Sequence, residues 1–443
     1  MFLLLYASIG DSATFRCESA APDLYWGAAE AKKAMSDDIN ARLGGYRARR
    51  DHFLVGMMSG TSMDGVDAVL TKIETTAEGA VEAVGMVGQA SVDYSTELKD
   101  VLLALCSPET ARIDDLTYAH FGLSEWYAVA VEKLLTATGF DAGAVDAICL
   151  HGQTVWHAPV PRAFPAPGGG TMPVKGTLQI GSGATLRERT GIPVIFDFRS
   201  RDMAAGGEGA PLAPYVDALL FGSPERGRIV QNIGGIGNAT VVPAGSRREG
   251  IFAFDTGPGN MVMDELVRRQ TSGAEHYDAG GARARRGSVD APLLAELMDD
   301  PYYKKAPPKS TGRELYSGGF AARLIDEGRR RGLSFDDLIA TAAALTAESI
   351  AGAYRDFIYP AAAIDDVVVG GGGALNGFLM GMLRDRLPRN VTLLTTADLG
   401  VPEQAREAIA FAVLGHEALM GRPGNLPAVT GAAKDVILGN LTL

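Results

Sequence analysis

The stretch GMMSGTSMDGVDAVL, Gly56 to Leu70, decides how this chain is read. His52 to Gly56 is apolar enough to be a buried strand. Val66, Ala68 and Leu70 then alternate with Asp67, Val69 and Thr71 as a second strand would. A polar turn lies between. Glycine tolerates positive φ and close backbone approach, so Gly60 and Gly65 are expected to aim main-chain N–H groups at an anion. Ser59, Thr61 and Ser62 add hydroxyl donors. A Walker loop would need Gly-Lys-Ser/Thr followed by a helix, and neither occurs here. Asp64 and Asp67 would repel a phosphate directly. At least one is better read as holding a hydrated magnesium ion that bridges to it, and Asp64 is the candidate. A plain Gly-rich hairpin accounts for the turn equally well in isolation, so the rest of the chain must decide.

The same plan recurs in IVQNIGGIGNATVV, Ile229 to Val242: an apolar strand, a Gly-rich turn ending in Asn238, and a second β-rich run. Between the two lie a helical stretch, Leu116 to Thr138, with apolar Phe121, Trp126, Val129 and Leu134, and a strand at Val145 to Leu150. Pro159 to Gly176 is so dense in proline and glycine that a surface loop near the cleft is expected. Leu338 to Ile358 has helical spacing. The strand Asp366 to Val369, the run Gly370 to Gly373, Asn376 and an apolar helix follow. Strand, Gly-rich loop, helix is how nucleotide sites are built at the carboxyl ends of strands. Three such loops together point to a two-lobed nucleotide clamp.

A chain of 443 residues predicts two or three domains and a large core. Its 47% hydrophobic and 21% charged residues fit a soluble globular enzyme. A net charge of -12 disfavours a nucleic-acid partner, so an anionic ligand must be captured by local donors. Cys17, Cys106 and Cys149 have no metal-ligand spacing and form no disulfide framework, which favours a reducing, cytoplasmic compartment. The opening MFLLLYASIG is too short to span a bilayer and no Lys or Arg precedes it, so no membrane association is expected. Ala28 to Leu43 reads as a peripheral helix, and Met35 marks an alternative start shortly before the first core strand.

Seven blocks carry a resemblance. They are MSGTSMDGVD (Met58–Asp67), HGQTVWH (His151–His157), DFRSRDMAAGGEGAPLAP (Asp197–Pro214), NIGGIGN (Asn232–Asn238), DTGPGNMVMD (Asp255–Asp264), PKSTGREL (Pro308–Leu315) and VVGGGGALN (Val368–Asn376). Their phosphate and adenosine loops resemble the sugar kinase, actin and heat-shock chaperone ATPase superfamily. The DFR and KSTGRE blocks are similar to those of the anhydro-N-acetylmuramic acid kinase family within it. The resemblance implies an α/β, two-lobed ribonuclease-H-like (actin-like ATPase) fold with a central ATP cleft. It places lobe I at 52–226 and lobe II at 227–443, with 1–51 as an extension lacking family motifs. Two features depart from the family pattern: a longer loop before Leu178, and Gly237 where a different residue is common.

Such kinases open a 1,6-anhydro sugar ring with water and phosphorylate the freed 6-oxygen, using ATP and Mg²⁺; the family tends to form homodimers. Asp255 is the candidate base, because it ends the apolar run Ile251 to Phe254 directly before a turn; capping a helix that starts near Asn260 is its alternative reading. The resemblance assigns Gly60, Thr61, Ser62, Met63, Asp64, Gly65, Val66 and Asp67 to the terminal phosphates, with Gly234, Gly235 and Asn238 as a second phosphate contact. It assigns Gly371, Gly372, Gly373 and Asn376 to adenosine, and Glu407 to the sugar. Arg199 is suited to a bidentate grip on a carboxylate or a hydroxyl pair, with an ion pair to Asp197 or Asp202 as its bland alternative. His151 and Thr154 follow a strand and are placed to bond sugar oxygens; zinc at His151 and His157 lacks a third ligand. Another sugar kinase of this fold, or a non-catalytic chaperone-like or filament ATPase, are the rival readings.

Overall fold

A computed structural model of the chain describes residues 39–443 apart from 61, 62, 247 and 317. Twelve strands are described: β1 (Asp51–Ser59), β2 (Gly65–Thr75), β3 (Val81–Asp93), β4 (Ala147–Pro165), β5 (Thr171–Ile180), β6 (Val194–Phe196), β7 (Arg228–Ile233), β8 (Ile236–Val242), β9 (Phe252–Pro258), β10 (Asp366–Gly370), β11 (Thr392–Thr395) and β12 (Asn440–Thr442). They form two sheets, ordered β12-β6-β4-β1-β2-β3 with β5 paired to β4, and β11-β10-β7-β8-β9.

The sheets repeat one plan. In each, an antiparallel meander (β1-β2-β3, β7-β8-β9) continues from its first strand into parallel partners (β4 and β6, β10 and β11). The recurrence of strand, Gly-rich turn and strand in the sequence thus marks the first hairpin of each lobe.

β1 shows why its sequence is apolar throughout. Val55 and Met57 enter a core with the helix Ile113–Thr138, while Leu54 enters a different core on the opposite face. That second core joins residues of both sheets, among them Leu54, Ile195, Val230 and Val368, with the helices Ala213–Phe221 and Arg406–Met420. Gly56 is required here, because any Cβ would collide with the Ala408 carbonyl oxygen. A third core lies behind the second sheet, where Phe335–Ala353 begins with a Ser334/Asp337 capping box and buries nearly its whole surface.

Four expectations need correction. The segment Pro159–Gly176 is a β-ribbon rather than an irregular loop: Arg162, Ala163 and Phe164 pair with Val174, Pro173 and Met172. Pro159 and Pro161 fall in the register break between Ala158 and Arg162, where no ladder donor is needed. Gly168, Gly169 and Gly170, at φ of 91°, 102° and 76°, make the turn. In Ile113–Thr138 the buried stripe is Ala119, Leu123, Tyr127, Ala130, Val131 and Leu134, so Phe121 and Val129 face solvent. The N-terminal helix runs Ile39–Arg47, and the part of the expected helix before residue 39 lies outside the described residues. Finally, β12 pairs with β6 and Arg406–Met420 packs on β1, so the end of the chain returns to the first sheet instead of staying with the second. No helix among the described residues is long and apolar enough to cross a membrane.

Candidate active site

The first turn is held by side chains, chiefly that of Gln153. Gln153, fully buried on β4, accepts from Ser59 Oγ at 2.6 Å and donates through Nε2 to the Gly60 carbonyl at 3.2 Å. Ser59 Oγ also meets Tyr94 Oη at 2.8 Å. Gln153 sits between His151 and Thr154, so the strand carrying the candidate sugar contacts also anchors the candidate phosphate turn. The sequence reading missed it, although it stands inside the HGQT block.

Positive φ in this turn falls on Met63, at 57°, and not on Gly65. Gly65 is needed for another reason: a Cβ there would lie 2.5 Å from the Val92 carbonyl oxygen on β3. Met63 and Val66 bury their side chains in the core, which leaves only their main chain for a ligand. Thr61 and Ser62 lie outside the described residues. Asp64 and Asp67 are exposed. Desolvation raises the Asp67 carboxyl; the Ser91 hydroxyl, 2.5 Å away, opposes this, and Asp64 and Asp93 add to it. Two exposed hard carboxylates that repel each other suit a divalent cation completing its shell with water and phosphate oxygens. Among the described residues no three His, Cys, Asp or Glu gather into a metal cage.

The second turn is held by main chain. Gly259 N and Met261 N donate to the Gly235 carbonyl at 2.9 and 3.3 Å, and Asn260 N to the Gly234 carbonyl at 2.7 Å. Asn260 Nδ2 adds a bond to the Ile233 carbonyl at 3.1 Å. Gly237, the family departure, leaves room for Thr256 Oγ1, which would lie 2.8 Å from a Cβ.

Asp255 lies on β9, opposite Asn238 on β8, which is opposite Asn232 on β7. Direct cross-strand partners share a face, so the three side chains form one row beside the second turn. The Asp255 carboxylate does not cap the helix Met261–Gln270, whose N-cap is Asn260. Instead its Oδ2 accepts from Thr311 N at 2.9 Å, while its own N–H donates to Lys309 O at 3.1 Å. The KSTGRE block therefore docks on the candidate base. Lys309 anchors it, 5% exposed and bonded to the Tyr302 and Tyr303 carbonyls at 3.3 Å.

Arg199 makes neither of the ion pairs weighed from sequence. Its Nε and Nη2 approach His151 Nε2 at 3.1 and 3.0 Å, and Nη1 donates to the Gly209 carbonyl at 2.8 Å. Arginine has only donors, so His151 Nε2 is the acceptor and the imidazole is neutral. Burial and the adjacent guanidinium pull His151 down to about 3, and desolvation pulls Arg199 down to about 10, with Glu407 opposing. Asp202, completely buried, accepts from Asn425, Thr430 and Gly209 N and so fixes the loop under Arg199. Thr154 Oγ1 takes a bond from Gln179 at 3.1 Å, and His157 Nδ1 lies 3.1 Å from Thr177 Oγ1 in the ribbon.

Glu407 opens the helix Arg406–Met420. It is accessible to solvent yet crowded by protein, and the desolvation raises its carboxyl; Arg406 and Arg199 oppose this and Asp67 adds to it. Those neighbours bring the DFR block, the first turn and this helix within Coulombic reach of one another.

The third loop completes the arrangement. Gly371 at φ 81° has Asn232 Oδ1 2.7 Å from where a Cβ would stand, so only glycine fits, and a Cβ on Gly373 would strike Ile233. Gly372 has ordinary space. Asn376 caps the following helix, its Oδ1 accepting from Phe378 N and Leu379 N at 3.2 and 3.1 Å.

The family model for anhydro-N-acetylmuramic acid kinase matches residues 52–443. The chain belongs to the anhydro-N-acetylmuramic acid kinase family. A protein of that name from Caldanaerobacter subterraneus subsp. tengcongensis is 41% identical over 395 residues, covering 89% of this chain and 98% of its own length. Another from Salinibacter ruber is 41% identical over 397 residues, with 90% and 97% covered, and one from Bacillus cereus is 39% identical over 391, with 88% and 99% covered. The family match begins at His52. The helix Ile39–Arg47 stands outside it, yet Tyr46 Oη bonds His416 Nδ1 at 2.6 Å.

Proposed function

We propose that this chain is an ATP-dependent kinase that hydrolyses the anhydro bridge of 1,6-anhydro-N-acetylmuramic acid and phosphorylates the 6-oxygen, releasing N-acetylmuramic acid 6-phosphate and ADP. Family membership supports the substrate. The observation that carries the mechanism is the placement of Asp255, oriented by Thr311 N–H in a row with Asn238 and Asn232 beside the second turn.

Asp255 takes a proton from a water that attacks the anomeric carbon. The bond from that carbon to the bridging oxygen breaks, and the electron pair stays on the 6-oxygen, which attacks the γ-phosphorus as ADP leaves. Gly60 to Asp67 and the turn Gly234–Gly235 receive the phosphates through main-chain N–H groups. Asn238, beside Asp255, contributes an amide to the same region. Asp64, with Asp67 nearby, would hold Mg²⁺, and such an ion would supply neutralisation of the phosphate charge. Gly371 to Gly373 and Asn376 receive adenosine. Arg199, kept cationic and fixed by His151 and Gly209, grips the lactyl carboxylate of the sugar, with His151, Thr154 and Glu407 lining the sugar side. Closure of the two lobes excludes bulk water while one water remains at the anomeric carbon. The reading extends to a cytoplasmic enzyme that acts in cell-wall recycling as a homodimer, which light scattering checks directly.

The direct test incubates the protein with ATP, Mg²⁺ and 1,6-anhydro-N-acetylmuramic acid and follows the products by mass spectrometry. A ring-opened 6-phosphate is expected. No turnover of the anhydro sugar alongside phosphorylation of an ordinary hexose would sink the substrate assignment.

A further inference from the structure

The turn before the helix Arg406–Met420 and the first turn of that helix contact the third glycine loop and the strand below the second turn. Glu403 Oε2 accepts from Gly371 N at 3.0 Å, in the third glycine loop. Its other oxygen is shielded from solvent with no hydrogen-bond partner among the described residues. Arg406, 8% exposed, donates through Nη1 to Asn232 Oδ1 at 3.2 Å, at the base of the second turn. Its Nη2 binds Asp217 Oδ1 at 2.5 Å, and Asp217 Oδ2 accepts from Thr240 on β8 at 3.0 Å. The next residue is Glu407, within electrostatic reach of Arg199 and Asp67.

We infer that Glu403 and Arg406 are positioning residues that couple nucleotide binding to sugar binding by tying the second and third glycine loops to Glu407. This rests on the function proposed above. The physical argument is that five consecutive residues, 403 to 407, cannot move independently. Gly371 N is the donor that holds Glu403, so a shift of the third loop around adenosine displaces the turn. Arg406 is fixed by a buried carboxylate and an amide from the second hairpin, so it transmits that displacement instead of absorbing it. Neither residue needs to touch a reacting atom.

Coupling is a ratio, and a merely structural residue does not move it. Calorimetric titration of the β,γ-imido analogue of ATP with Mg²⁺, with and without saturating 1,6-anhydro-N-acetylmuramic acid, gives the factor by which one ligand tightens the other. The reverse titration must return the same factor. Wild type is expected to show at least about fivefold coupling. Glu403→Ala and Arg406→Lys are expected to bring it within about twofold of unity, whatever happens to either affinity alone. Glu403→Gln, which keeps an acceptor for Gly371 N, should restore it. If Arg406→Lys melts below the assay temperature, the Glu403 pair carries the test. Wild-type coupling within twofold of unity, or unchanged coupling in the folded variants, overturns the inference. A wild-type protein that binds the nucleotide but no anhydro sugar overturns the functional reading beneath it.

Discussion

The two Gly-rich hairpins, β1-β2 and β7-β8, share one plan of sequence and are held by different means. The first is clamped by side chains: Gln153 reaches across from β4 to Ser59 and Gly60, and Tyr94 closes the other side. The second is clamped by main chain, with the Gly234 and Gly235 carbonyls taking N–H groups from Gly259, Asn260 and Met261. The clamp of the first hairpin comes from the strand that carries His151 and Thr154. That of the second comes from the turn after Asp255. One hairpin is therefore wired to the candidate sugar contacts and the other to the candidate base.

The largest expected effect tests the second hairpin. Asp255→Asn keeps the shape and the acceptor for Thr311 N–H but removes the base, so kcat should fall by about 10²- to 10⁴-fold. Binding of the ATP analogue should be nearly unchanged. A loss smaller than about tenfold, roughly 1.4 kcal/mol in the barrier, would end the assignment.

The next pair sets the two clamps against each other. Gln153→Leu takes the side-chain partner from the half-buried Gly60 carbonyl and leaves Ser59 Oγ with only Tyr94 Oη and the Gly65 carbonyl, at about 1–3 kcal/mol in all. A rise of about 10- to 100-fold in KM for ATP is expected. Asn260→Ala removes one side-chain bond and leaves three main-chain bonds in place, so about 1 kcal/mol is expected, less than tenfold in KM. Equal effects of the two substitutions would break the distinction between side-chain and main-chain clamping.

What was legible in the sequence was local. Strand, turn and strand were readable twice because alternation and turn residues are near neighbours, and the glycine run before Asn376 was readable for the same reason. The ribbon at Arg162 to Val174 was hidden because proline and glycine signal a loop wherever their partner strand is unknown. The buried stripe of Ile113–Thr138 was misjudged because aromatic side chains on an exposed face mimic a core-facing pattern. Residues that act through distant partners were invisible. Gln153 meets Gly60, Arg406 meets Asp217 and Asn232, and Glu403 meets Gly371 only once both sheets have formed. Asp255 was singled out as the end of an apolar run before a turn, whereas it lies inside β9 (Phe252–Pro258), and its orientation depends on Thr311, 56 residues away.

The smallest effect separates the two halves by pH. Of the six histidines, His52, His120, His151, His157 and His416 are all held below the usual imidazole range by burial, and all lie on or against the first sheet. His52, His151 and His416 are the buried ones, at 0%, 4% and 0% exposure. A folded pKa below the unfolded value means that the unfolded chain binds more protons. Their stabilisation is complete above about pH 6.5 and is lost as pH falls toward the folded values. Behind the second sheet the sign reverses. Desolvation pushes Asp264 up to about 7, with Arg268 opposing and Asp278 adding, so the folded chain binds the extra proton and stability rises as pH falls toward and below 7. Between pH 7.5 and 6.5 each buried imidazole is expected to cost about a few tenths of a kcal/mol. Amide hydrogen exchange, corrected for intrinsic rates, should show β1-β2 losing protection over that interval while β7-β8 holds or gains it. Asp264→Asn should remove the gain without altering the loss. A parallel loss in both hairpins would mean that the two halves unfold as one unit, and the contrast between their clamps would then concern catalysis alone.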